Sequence, residues 1–211
     1  MSIDIPSRLA ALTHLGAAWI LYLLIALSIV ALAVIFERTY ALVLMRDDGP
    51  QCRIELSALL RSGDLEGARA RALASPSFEA RVLASGLGSP LPSAATAEQR
   101  LAGALQLAKL DMERRLAFLG TLGNNAPFIG LLGTVIGIVR AFKTLDGGAG
   151  KVSAGLMTEV GEALIATAVG ILVALPAIAA FNVFQRVVKT RLTRIDALGR
   201  ELVAALSTEN N

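Results

Sequence analysis

Three residues in this chain place a polar group in a strongly apolar setting: Thr134, Thr167 and Glu162. Thr134 is the single hydroxyl in LLGTVIGIVRAF, residues 131–142. Thr167 is the single hydroxyl in ALIATAVGILVALPAIAAFNVF, residues 163–184, and Glu162 immediately precedes that stretch. A hydroxyl both donates and accepts hydrogen bonds, and a carboxylate takes up and releases a proton. Together they can form a shared polar surface within the membrane, although one glutamate alone is a poor proton path. The competing assignment is purely structural. A membrane-helix threonine commonly bonds the carbonyl one turn back, and an acid at a helix start is favoured by the helix dipole. Glu159, one turn before Glu162, fits that second description. Depth separates the two assignments. If the stretches are antiparallel neighbours, Thr134 lies six residues from the outer marker Arg140, about 9 Å. Thr167 lies five residues from Glu162, about 7.5 Å. Hydroxyls at matched depth on two neighbouring spans favour a shared polar surface.

The elements that must position these groups are membrane helices. The sequence is 55% hydrophobic and only 18% charged over 211 residues, a balance too apolar for an ordinary soluble domain of this length. Residues 17–36, AAWILYLLIALSIVALAVIF, contain no charge and cover roughly 30 Å, the thickness of a hydrocarbon core. Trp19 and Tyr22 near one end suit an interfacial belt. This run is too long for a signal-peptide core and is expected to be a retained anchor. The second span, 116–139, contains Asn124, Asn125 and Pro127, so one side of it is expected to face protein or water. The third is 162–184. Gly130, Gly133 and Gly137 on span two, and Gly170 and Ala174 on span three, with Ala163 and Ala177, form small-residue faces that permit close backbone approach. Pro176 and Pro127 each remove a backbone donor and are expected to shape the bundle.

Lysine and arginine set the orientation. Ten lie from Arg46 to Arg115 and five from Arg186 to Arg200, against Arg8 in the N-terminal segment and Arg140, Lys143 and Lys151 between spans two and three. The positive-inside rule then gives a periplasmic N-terminal segment (1–16), a cytoplasmic loop (37–115), a short periplasmic hairpin (140–161) and a cytoplasmic C-terminal helix (185–211). The cytoplasmic part is expected to be helical. Asp64 can cap DLEGARARALA, Pro76 suits a first helical turn, and Thr96–Gln99 (TAEQ) fits a capping box. Leu101, Leu105, Ala108, Met112, Leu116 and Leu119 form a stripe running without a break into span two, and Val188, Leu192, Ile195, Leu202 and Leu206 continue one from span three. The expected fold is an all-α membrane protein with three transmembrane helices. Spans two and three extend as long helices into a helical cytoplasmic region.

NNAPFIGLLGTVIGIVRAF and GEALIATAVGILVALPAIAAFNVF, in that order and spacing, resemble the second- and third-span motifs of the ExbB/TolQ/MotA proton-channel family, most closely its ExbB and TolQ branch. The resemblance is strong over about residues 116–190. It extends more weakly to the three-span layout and to LSALLRSGDLEGARA. GLMTEVGEAL, residues 155–164, departs from the proline- and isoleucine-containing approach that the family commonly has. The resemblance implies a homo-oligomer, a pentamer, around the helices of a single-span ExbD/TolR-like partner carrying a membrane aspartate, with a TonB- or TolA-like protein beyond it. It further implies that Thr134, Thr167 and Glu162 match polar residues along a proton pathway, and that no cofactor or metal is required.

The expected function is an inner-membrane proton-channel and stator subunit that converts proton-motive force into mechanical work on the envelope, TonB-dependent transport first. The alternatives are a TolQ-like envelope-maintenance or gliding motor subunit, or a non-conducting membrane scaffold. An enzyme is disfavoured, because the lone His14 and lone Cys52 lie outside all three spans and supply no nucleophile–base pair or metal set. Basic residues scattered along the chain disfavour nucleic acid.

Overall fold

The computed structural model describes residues 18–44, 49–88, 90–146 and 154–209. The expected N-terminal segment 1–16, with Arg8 and His14, lies outside the described residues. So do Arg46 and residues 147–153 of the hairpin, including Lys151. Among the described residues, seven α-helices follow in order: α1 (Ala18–Thr39), α2 (Gly49–Ser62), α3 (Leu65–Ala74), α4 (Phe78–Gly86), α5 (Ala94–Glu113), α6 (Leu116–Asp146) and α7 (Ala154–Glu209). A π-helical turn at Tyr40–Leu44 follows α1. No strand occurs among the described residues. Among the described residues, three helices are long and apolar enough to cross a membrane, α1, α6 and α7. The chain is an all-α membrane protein.

The chain divides into two compact units. The first comprises residues through Glu37 and Arg115–Asn182; the second comprises Arg38–Arg114 and Val183–Asn211. In the first unit, α1, α6 and the early part of α7 bury small or branched faces, including Ile20, Leu24, Ala126, Ile136, Ala163, Ala166 and Ala177. Their opposite faces expose Ile29, Phe36, Leu131, Val135, Leu164 and Leu172. Large exposed apolar side chains along spans of this length belong against lipid or neighbouring subunits. Tyr22 is exposed and Trp19 half-buried on α1. Asn124 and Asn125 are both exposed, and Asn125 donates to the Thr121 carbonyl at 2.8 Å. The amide thereby satisfies part of its hydrogen-bonding need within its own helix.

The second unit is a helical cluster closed by local signals. Asp64 caps α3 by accepting from Gly67 N at 2.8 Å, as the sequence suggests. Two other caps differ from expectation. The α4 cap is Ser77, accepting from Ala80 N at 3.1 Å, so Pro76 precedes the cap and is not in the first turn. The α5 cap is Ser93, accepting from Thr96 N at 3.4 Å, so Thr96 is the third helical residue and the expected box at Thr96–Gln99 starts three residues late. In both cases a serine at the position before the helix competes successfully, because its side-chain oxygen reaches an otherwise unpartnered N–H. Leu56, Leu83, Leu101, Met112, Leu202 and Leu206 form the interior. Burying a leucine fully contributes about 1.5–3 kcal/mol. A β-carbon on Gly86 would lie 2.9 Å from side-chain atoms of both Leu101 and Leu202, which shows how closely α4 meets α5 and α7.

The stripe from Leu101 to Leu119 is buried at Leu101, Ala108, Met112, Leu116 and Leu119, yet the backbone under it is not continuous. Helix α5 stops at Glu113 and α6 starts at Leu116. Arg115 between them adopts φ +66°, a left-handed conformation that costs a side-chain-bearing residue about 1–2 kcal/mol. Arg115 also pairs with Glu37 at 3.2 Å. Helix α7, by contrast, is unbroken over 56 residues, and Pro176 lies within it.

Candidate functional site

The seam between α6 and α7 in the first unit is set by glycine. A β-carbon on Gly130 would lie 2.7 Å from the Ala166 carbonyl oxygen, and one on Gly170 would lie 2.7 Å from the Ala126 carbonyl oxygen. The two α-carbons therefore face each other with no room for a side chain. Further along, Gly133 meets Ala166, and Gly137 meets Ala163. Gly130, Gly133, Gly137, Gly170 and Ala174 are all buried. Pro176 is exposed on α7, away from the buried positions Ala174 and Ala177 on either side of it. The small-residue faces expected from the sequence thus pack against one another within one chain.

The two threonines resolve differently. Thr167 Oγ1 donates across the seam to the Gly130 carbonyl at 3.1 Å. That bond forms where the backbones are closest, and it is available only because Gly130 lacks a side chain. Thr134 Oγ1 donates within its own helix to the Leu131 carbonyl at 2.6 Å, three residues back. Both hydroxyl oxygens keep lone pairs that can accept from another donor. Both side chains are half-buried.

Glu162 is exposed and makes no hydrogen bond or ion pair among the described residues. Its neighbour Glu159 is the engaged acid: Glu159 Oε1 lies 2.9 Å from Arg140 Nη2, joining the C-terminal part of α6 to the N-terminal part of α7. The sequence assigns Glu159 to a helix dipole and Arg140 to a depth marker; their pairing appears only when the two helices are placed side by side. No group of three His, Cys, Asp or Glu side chains among the described residues could hold a metal ion.

In the second unit, Glu201 on α7 accepts from Ser57 Oγ at 2.6 Å and from Arg61 at 3.0 Å. Burial pushes the Glu201 carboxyl up, but the Ser57 hydroxyl and the Arg61 guanidinium together outweigh it, leaving the group below the ordinary value of 4.5. Ser57 and Arg61 sit one turn apart on α2, so both reach one carboxylate. A groove of about 570 Å³ is lined by Leu101, Leu105, Ile195 and Val203, together with Glu98 and Arg200.

The first unit of this helical membrane protein thus carries a glycine seam, two hydroxyls and an exposed carboxylate on α6 and α7. The model of the MotA/TolQ/ExbB proton channel family matches residues 74–197, and the chain belongs to that family. The family is defined by proton channels and not by an enzymatic reaction. Among known proteins, the chain is 42% identical over 88 residues to a putative biopolymer transport protein ExbB-like 2 of Helicobacter pylori, covering 42% of this chain and 59% of that protein. It is 36% identical over 118 residues to the biopolymer transport protein ExbB of Xanthomonas campestris, covering 56% of this chain and 46% of that one. It is 44% identical over 72 residues to the Tol-Pal system protein TolQ of Haemophilus influenzae, covering 34% and 32%. The chain thus spans between about a third and three-fifths of the length of these relatives.

Proposed function

We propose that this chain is the multi-span subunit of an inner-membrane proton channel and stator. With a single-span partner of the ExbD/TolR kind, it converts proton-motive force into mechanical work on the cell envelope, TonB-dependent transport being the first system to test. Its N-terminus is periplasmic, its C-terminus cytoplasmic, and five copies surround the partner's helices. A TonB- or TolA-like protein receives the work. The observation that carries the reading is Glu162: an ionisable side chain at the end of an apolar span, exposed and committed to no partner among the described residues. Such residues in membranes serve ions or partners far more often than packing. Thr134 and Thr167 complete the path by offering acceptor lone pairs to the partner's carboxyl group as it binds and releases a proton.

The scaffold alternative has one observation in its favour. Both threonine hydroxyls already donate to backbone carbonyls, Thr134 within its helix and Thr167 across the seam. Valine substitution separates the readings. Hydrogen bonds between membrane helices contribute about 0.6–2 kcal/mol, so Thr167→Val still folds and assembles. On the channel reading, proton flux through the purified complex in liposomes, followed with a pH-sensitive dye, falls sharply for Thr167→Val and Thr134→Val, and less for Glu162→Gln at the water-facing end. Normal flux in a fully assembled Thr167→Val complex defeats the role given to Thr167 and favours the scaffold.

A further inference from the structure

Arg140 and Glu159 form an ion pair between α6 and α7. It joins the C-terminal part of α6 to the N-terminal part of α7, with Arg140 six residues beyond Thr134 and Glu159 three residues before Glu162. The side chains are 33% and 20% exposed, and their nitrogen and oxygen are 2.9 Å apart. The helices are in contact at this level, since a β-carbon on Gly137 would lie 3.2 Å from the Glu159 carbonyl oxygen. Glu159 Oε2 is buried and accepts no hydrogen bond among the described residues. The salt bridge is therefore held through one carboxylate oxygen only.

We propose that Arg140 and Glu159 form a positioning pair, which fixes the register of α6 against α7 and thereby orients Glu162 one turn further along. Gly, Ala and Thr along the seam allow close approach, but apart from the Thr167 bond they supply no directional contact. An ion pair supplies direction. Exposed pairs in water contribute little. This one is mostly buried at the end of an apolar span, where an unpartnered charge is expensive, so separating the two groups is strongly disfavoured. Residues three apart on a helix are neighbours, so Glu159 and Glu162 occupy adjoining positions on α7. Arg140 holds the first, which leaves the second presented outward. The pair's consequence for proton movement rests on the channel reading; its effect on Glu162 does not, and can be measured alone.

The experiment uses the full chain with Cys52→Ser and Glu162→Cys, assembled in membranes. The rate at which a charged, impermeant thiol reagent modifies position 162 is the readout. Adding Arg140→Gln or Glu159→Gln is expected to lower that rate about fivefold, within the coupling typical of groups in contact. The charge swap, Arg140→Glu with Glu159→Arg, is expected to return it to within about twofold of the parent by the same coupling. Unchanged rates in the single variants overturn the proposal, as does a swap no nearer the parent than either single. Should the swap fail to accumulate, Arg140→Lys decides: an intermediate rate supports the pair, and a rate equal to that of Arg140→Gln overturns it. Flux measurements on Thr167→Val judge the channel reading separately, whatever the labelling shows.

Discussion

Thr167 directs its hydroxyl onto the neighbouring helix, and the glycine beneath it explains why that is possible. A side chain at position 130 would clash with the Ala166 carbonyl and separate the very atoms that bond. The same geometry predicts two opposite outcomes for one chemical change. Gly170→Ala puts a methyl group 2.7 Å from the Ala126 oxygen, a backbone atom that cannot swing aside, and destabilises by about 1–3 kcal/mol. Gly103→Ala, on α5 with nothing within 4 Å, stabilises by about 0.5–1 kcal/mol because alanine restricts the unfolded chain and suits a helix. Thermal unfolding of the purified protein in detergent checks both, and equal shifts would contradict the close seam. Residue types at the candidate site were readable in advance, because a lone hydroxyl or carboxylate stands out in an apolar run. Their partners were not. Whether a threonine bonds its own carbonyl or another helix depends on which face is turned inward, and the Arg140–Glu159 pair joins residues nineteen positions apart.

At the scale of elements, periodicity located the helices and local competition decided their ends. Three- and four-residue spacing continued smoothly through Leu119, yet the helix breaks at Arg114 and Arg115. A stripe reports which face is buried, and two short-range helices in sequence can keep one face inward across a turn. Nothing in Arg-Arg as a residue type announces φ +66°. The serine caps were missed for a related reason, since several polar residues before α4 and α5 could each accept from the first turn. The link between α2 and α7 through Glu201 gives a pH-dependent prediction. Its folded carboxyl titrates below the ordinary value, so the unfolded chain binds the proton more readily. The contribution is present above pH 4.5 and is lost as pH falls through the lower, folded value. Glu201→Gln should therefore lower the unfolding temperature slightly at neutral pH and make it less sensitive to acid, as read from unfolding curves at stepped pH. An acid profile identical to that of the parent would remove Ser57 and Arg61 from this account.

For the molecule as a whole, hydropathy and the two long motifs carried most of the information. The three apolar helices follow from hydropathy over 17–36, 116–139 and 162–184, and family membership from the motifs within residues 116–190, where membrane constraints leave few alternatives. The second unit was readable only as helical, because its interior is built from leucine and alanine that any helical cluster could use. One feature of that unit lies in its own part of α7. Buried positions there recur at Phe184, Val188, Ile195, Leu198, Leu202 and Leu206, each three, four or seven residues from the last. A single rotational phase thus governs this stretch of the helix. Inserting one alanine between Arg191 and Leu192 advances everything downstream by about 100° and turns Leu198, Leu202 and Leu206 out of the phase set by Phe184 and Val188. Inserting seven leaves an error of only about 20°, at the cost of about 10 Å of extra length. Purified yield and unfolding temperature should therefore vary with inserted length as an oscillation, with the one-residue insertion worse than the four-residue one. A steady decline with length would mean that α7 serves as a spacer, with its angular setting immaterial.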